Sequence, residues 1–357
     1  MIMLSDDAPF GDDAKAIAAI LLRLSPTYAP TPLVDLPALG THLGVSQVLA
    51  KDEGRRTLGS FKSLGGTYAG LRALARVSGL EVAELLARRP PGLPALLCAS
   101  DGNHGLAVAA AARFAGADAR IFLHNGVPPV RARRIESEGA RIEWVEGTYD
   151  DAVDAADAAA RAGEGILVAD TANDPADAVV RDVMAGYGMI AAEVRQQVEE
   201  AGRARPTHLF VQAGVGGLAA AMAEGLKDWL APPAGVVVVE PAKAASVTAG
   251  LPSSAPVRIA GDLHTAAEML SCGEASAPAL QILRRCGARV VTVSEEDLLA
   301  APRVLTEAQG PATTPSGAAG FAGLWRILKD NDGARFGLDA TSRVLLVITE
   351  ADLGGET

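Results

Sequence analysis

Apolar residues recur along most of the chain in short runs of strand length, each followed by a longer stretch with apolar positions at helical spacing. Residues 13–24 carry alanine, isoleucine and leucine at that spacing and are stopped by Ser25-Pro26, which predicts a first helix. Pro30 and Pro32 then enforce an extended segment. Residues 48–53 read as a short strand ending in charge, and a helix is expected from about 60 to 77. Beyond the breaker cluster 88–94, strands are expected at 95–99, 119–124, 141–145 and 165–169, separated by helices such as the alanine-rich 106–115. A long helical pattern runs through Glu200, followed by strands at 207–212, 235–240, 288–293 and 342–348. Residues 252–256 and 310–317 read as loops. Strand and helix in alternation predict an α/β fold with parallel sheets covered by helices.

With 357 residues, 49% of them hydrophobic, a sizeable core is assured. A net charge of −11 repels nucleic-acid phosphates and anionic lipid headgroups, so the expected partner is a small molecule, with no nucleic acid and no membrane. The basic run at Arg131, Arg133 and Arg134 has Glu136, Glu138 and Glu143 close by and reads as the solvated face of a crossover helix. Cys98, Cys272 and Cys286 are odd in number and widely spaced, as expected of reduced thiols, and no metal is expected. The first residues lack the basic region and apolar run of a signal peptide, and a cytoplasmic protein is expected.

The candidate chemistry begins at Lys62, which stands among glycines, serines and Phe61 rather than among charges. Desolvation there, and the dipole of a helix start, are expected to lower its proton affinity and leave an amine able to form a Schiff base. Gly214-Val215-Gly216-Gly217-Leu218 follows a predicted strand and opens a helix, the layout of a phosphate cradle. A dinucleotide site would want an acidic residue further on, and Glu240 is a little late for it but in reach. A phosphate cradle with a desolvated lysine suits pyridoxal 5′-phosphate. Asn103 could donate to the cofactor's ring hydroxyl, and Thr349 or Glu350 could meet its pyridine nitrogen at a strand end. His104 reads as a packed neutral histidine and Cys98 as a core residue.

Ser60-Phe61-Lys62, Ser100-Asp101-Gly102-Asn103-His104-Gly105, Asp170-Thr171-Ala172, Gly186-Tyr187-Gly188 and Gly214-Val215-Gly216-Gly217 occur in the order found in the fold type II pyridoxal-phosphate enzymes. The chain is similar to them over roughly residues 30–352, and most resembles the diaminopropionate ammonia-lyases. The resemblance implies a tryptophan-synthase-β-like fold of two open parallel-sheet lobes with the cofactor between them. The large cofactor-binding lobe would be 1–76 with 191–357, and the small lobe 77–190. It also implies Lys62 as the cofactor-bearing lysine, Asn103 beside the ring hydroxyl, the 214–217 loop on the phosphate, and a homodimer. Asp101 and Asp170 match that family's two proton-abstracting bases, one for each substrate enantiomer. Each also has a structural reading, Asp101 as a helix cap and Asp170 as a strand end. The implied reaction is elimination from 2,3-diaminopropionate or a related β-substituted amino acid to pyruvate and ammonia. A threonine or serine dehydratase and a non-catalytic carrier of the cofactor are the alternatives. Asn173-Asp174-Pro175, Thr313-Thr314-Pro315-Ser316-Gly317-Ala318 and Glu350-Ala351-Asp352 depart from the usual family pattern around the substrate and ring nitrogen.

Overall fold

In the computed structural model, which describes residues 11–24, 28–100 and 102–352, the strands form two sheets. They are β1 (Leu33–Asp35), β2 (Gln47–Asp52), β3 (Leu96–Ala99), β4 (Ala119–His124), β5 (Arg141–Val145), β6 (Ile166–Leu167), β7 (His208–Gln212), β8 (Gly235–Pro241), β9 (Arg289–Val293) and β10 (Arg343–Ile348). One sheet has the order β1-β2-β10-β7-β8-β9 and the other β5-β4-β3-β6. All pairings are parallel except that of β1 with β2. The exception has a simple cause, because the link from Asp35 to Gln47 is shorter than the dozen or so residues a parallel crossover needs. β7 and β8 are buried along their whole length, as their near-continuous apolar runs require. Among the described residues no helix is long and apolar enough to cross a membrane.

The Lys62–Ser78 helix joins the two sheets' surroundings, packing against the Asn103–Ala115 helix on one side and the Ala178–Glu200 helix on the other. Its crossing with the latter depends on glycine. A Cβ on Gly186 would lie 2.7 Å from Gly65 Cα, and one on Gly65 would lie 2.3 Å from Tyr187 Cε1. Residue 190, the expected lobe boundary, falls inside the Ala178–Glu200 helix. The loop expected over 310–317 ends early, because the Thr314 side chain accepts from Gly317 N–H at 3.0 Å and Pro315 starts the Pro315–Lys329 helix.

A buried ionic knot ties β2 and the turn after it to the Ala178–Glu200 helix. Lys51 Nζ donates to Glu193 Oε2 at 2.6 Å, while Arg56 reaches both Glu193 (2.8 Å) and Glu53 (2.7 Å). Thr31 Oγ1 and Tyr28 OH donate to Glu53 and Glu193. Burial alone would raise the Glu193 carboxyl, but Arg56 and Lys51 hold it below its ordinary value. Glu193→Gln leaves two buried cations short of a counter-charge and is expected to cost about 3–5 kcal/mol in denaturant unfolding; a loss under about 1 kcal/mol would contradict the knot's role.

Glu240, at the end of β8, accepts from Val247 and Thr248 N–H at 2.7 and 2.8 Å and so fixes the short Ser246–Gly250 helix, a structural task rather than a ribose contact. Burial pushes its carboxyl up to about 7 against an ordinary 4.5. The native state then holds a proton through that window that the unfolded chain has released, so this group's contribution to stability declines as pH rises from 4.5 to 7. Wild-type unfolding temperature should therefore fall more over this range than that of Glu240→Gln, and parallel profiles would show that Glu240 titrates normally.

Candidate active site

Lys62 opens its helix at a point pinned to the end of β10. Phe61 N–H donates to Thr349 O at 3.1 Å, Ala351 N–H donates to Gly59 O at 3.0 Å, and Ser60 forms a bridge with Glu350. The turn before it runs through Leu58 and Gly59, both left-handed, with φ of 67° and 79°. From the other sheet, Asp170 comes in just after β6 and forms an ion pair and hydrogen bond with Lys62. The two side chains remain 21% and 16% exposed.

This pairing overturns the expected loss of proton affinity. Burial does act to lower the Lys62 pKa, but Asp170, with Tyr187 and Cys272, outweighs it and holds the ammonium above its ordinary value. A full opposite charge in contact exceeds the partial charge of a helix end. Asp170 responds in the reverse sense: burial would raise its carboxyl, and Lys62 with His104 draws it well below the ordinary carboxylate range. His104 is buried, its Nε2 lies 2.9 Å from Val168 O, and burial lowers its pKa, in keeping with a neutral packed ring.

Asn103 begins the Asn103–Ala115 helix, and its Nδ2 donates to Glu350 Oε2 at 2.6 Å. Thr314 Oγ1 donates to the other Glu350 oxygen at 2.5 Å, so both carboxylate oxygens are engaged. Thr349 Oγ1 accepts from Gln212 Nε2 at 3.1 Å, which leaves the threonine O–H as a donor. Asp101 lies outside the described residues; next to it, Gly102 N–H donates to Ser100 Oγ at 3.2 Å.

The glycine loop connects β7 to the Gly217–Leu226 helix. Gly216, at φ 92°, makes the left-handed turn, Val215 O accepts from Ser276 N–H at 2.9 Å, and Leu218 is buried as the helix anchor. A Cβ on Gly214 would lie 2.9 Å from Cys272 Sγ. The first N–H groups of this helix, the Lys62 amine, the Asn103 amide and the Thr349 hydroxyl provide the donors that a phosphorylated pyridine aldehyde needs, and the residues fit pyridoxal 5′-phosphate.

Tyr187, Cys272, Gln212 and Thr314 also belong to these surroundings, though the sequence alone assigns none of them a part there. The Tyr187 ring packs against Phe61 in a tilted arrangement, with 4.8 Å between ring centroids and 59° between the planes, and its only signal was the Gly186-Tyr187-Gly188 motif. The basic run also departs from the solvated face expected of it. Arg133 is exposed, but Arg134 Nη2 donates to Leu58 O at 3.0 Å and Arg131 pairs with Glu268 at 2.7 Å, because both lie on the side of the Pro129–Ser137 helix that meets the lysine turn and the 268–270 segment.

Residues 24–350 match the pyridoxal-phosphate dependent enzyme family. The chain is 33% identical over 353 residues to diaminopropionate ammonia-lyase of Salmonella typhimurium, covering 92% of this chain and 86% of the relative. The Escherichia coli diaminopropionate ammonia-lyase, in a crystal structure with an aminoacrylate-PLP azomethine reaction intermediate, superposes with a TM-score of 0.84 at 29% identity, over 98% of this chain and 92% of that one. A threonine deaminase from T.th. superposes with a TM-score of 0.76 at 26% identity, over 96% and 98%. The chain belongs to the pyridoxal-phosphate-dependent enzymes, with the fold type II architecture of the diaminopropionate ammonia-lyases.

Proposed function

We propose that this protein eliminates the β-amino group of 2,3-diaminopropionate, giving pyruvate and two molecules of ammonia with the uptake of one water. The observation that carries the reading is the Lys62–Asp170 pair, a carboxylate held ionised beside an ammonium, with Tyr187 and Cys272 acting on the same ammonium and lying against Gly217 and Gly214 of the glycine loop. When bound, pyridoxal 5′-phosphate supplies the electron sink that acidifies the substrate Cα–H. Lys62 would carry the cofactor, the N–H groups of Gly216 and Gly217 would hold its phosphate, and Asn103 would donate to its ring hydroxyl. Thr349 rather than Glu350 serves the pyridine nitrogen, since the Glu350 oxygens are taken by Asn103 and Thr314. Asp170 takes the Cα proton on one face and Asp101 on the other. Lys62, once displaced, delivers a proton to the departing β-nitrogen, which leaves with the Cβ–N electron pair. A carboxylate beside the β-position also attracts the substrate's second ammonium. The lobes in this reading are 1–76 with 191–357 and 77–190, and the working form is a cytoplasmic homodimer.

Purified wild-type protein should be yellow and Lys62→Ala should lose the visible band; a wild type that gains no band on addition of pyridoxal phosphate would sink the assignment.

Pyruvate release from 2,3-diaminopropionate should exceed 2-ketobutyrate release from threonine. Asp101→Asn should mainly lose the D-substrate and Asp170→Asn mainly the L-substrate, each by ~10²-fold or more, while both stay yellow. A clear preference for threonine would favour a dehydratase. Equal losses on both enantiomers would make the aspartate concerned a shared electrostatic element.

A further inference from the structure

Tyr187 is 1% exposed and among the largest fully buried side chains, yet among the described residues its hydroxyl makes no well-formed hydrogen bond, although the Lys62 ammonium stands near enough to act on it electrostatically. An unsatisfied buried O–H destabilises a fold, and a phenylalanine would fill the same space without that cost. The surroundings suggest what the hydroxyl is for. One edge of the ring lies against Gly65, where an added Cβ would meet Cε1 at 2.3 Å and Cζ at 2.7 Å; the other faces Gly217, where an added Cβ would lie 3.7 Å from Cε2. The Lys62 ammonium is 6.0 Å from the ring centroid, and Phe61 packs against the ring at a tilt. The hydroxyl-bearing end therefore emerges between the lysine helix and the first residue of the helix that follows the glycine loop.

We infer that Tyr187 is a further cofactor-binding residue, donating its buried hydroxyl to the phosphate group held at the start of the Gly217–Leu226 helix. This deepens the proposed site and rests on its assignment to pyridoxal phosphate. The backbone N–H groups at that helix start offer short, fixed donors on one side of a phosphate; the tyrosine supplies a side-chain donor from the opposing helix, so the anion is gripped from both. It also makes the Ala178–Glu200 helix, which carries no other assigned group, part of the cofactor's binding surface.

Tyr187→Phe separates this role from a packing role because the two readouts move in opposite directions. The cofactor-free variant should unfold at a temperature equal to or roughly 1–3 °C above wild type, since an unsatisfied hydroxyl is removed. Its dissociation constant for pyridoxal phosphate, read from the visible band, should rise about tenfold or more, the scale of a hydrogen bond to a charged group. Two further probes fix the atom contacted. Stabilisation of the cofactor-free protein by inorganic phosphate should weaken in the variant, whereas its affinity for pyridoxal, which lacks the phosphate, should be unchanged. A variant that is destabilised but binds the cofactor as well as wild type overturns the inference, and so does an equal loss for pyridoxal, which would place the contact at the ring. A wild type that binds no cofactor would instead fail the assignment of the site itself.

Discussion

The buried knot of Lys51, Arg56, Glu53 and Glu193 fixes where the site is assembled. It lies where β2, the turn toward Lys62 and the Ala178–Glu200 helix meet, and each of these leads to a working part. β2 lies beside β10, whose end presents Thr349 and Glu350; the turn leads to Lys62; the helix carries Gly186 and Tyr187. Four charges with no net sum, nearly free of water, tolerate little displacement, because moving one partner leaves another unpaired at a cost of several kcal/mol. The knot need not add net stability to be useful, since its value lies in admitting one relative placement of three segments.

The second constraint is contact between helices without side chains in the way. Gly65 and Gly186 let the backbone of the lysine helix touch that of the Ala178–Glu200 helix, and this closeness brings the Tyr187 ring against Phe61. Polar links then cross from the elements of the smaller sheet: Asn103 to Glu350, Lys62 to Asp170, and Arg134 to Leu58. Apolar packing sets the distance and the polar links set the orientation.

Much of this was legible in the sequence because parallel sheets buried on both faces write themselves as apolar runs, and because a glycine-rich turn into a helix has few other uses. The runs of β7, β8 and β10 and the loop at 214–217 follow from that, and the ordered motifs point to Lys62, Asn103 and Asp170, of which the structure pairs the first with the last. What stayed hidden depends on distance rather than on residue type. The proton affinity of Lys62 reverses because Asp170, more than a hundred positions away, arrives in contact with it. Thr314 looked like part of a loop until its hydroxyl was seen to cap a helix and hold Glu350. Arg131 and Arg134 carry the same charges as Arg133, and only the helix's orientation decides which of them meets solvent.

Leu58 has a consequence for how firmly Lys62 is mounted. Two successive left-handed residues reverse the chain so that 59–61 can pair with 349–351, and the first of them is a leucine, for which that backbone costs about 1–3 kcal/mol relative to its preferred regions. A glycine would relax the turn and allow it to swivel. The leucine, with its carbonyl engaged by Arg134, instead makes the lysine's mount a bracket rather than a hinge. The backbone that carries Lys62 is thereby clamped between the end of β10 and the Pro129–Ser137 helix, and whatever reach the amine has comes from its own side chain.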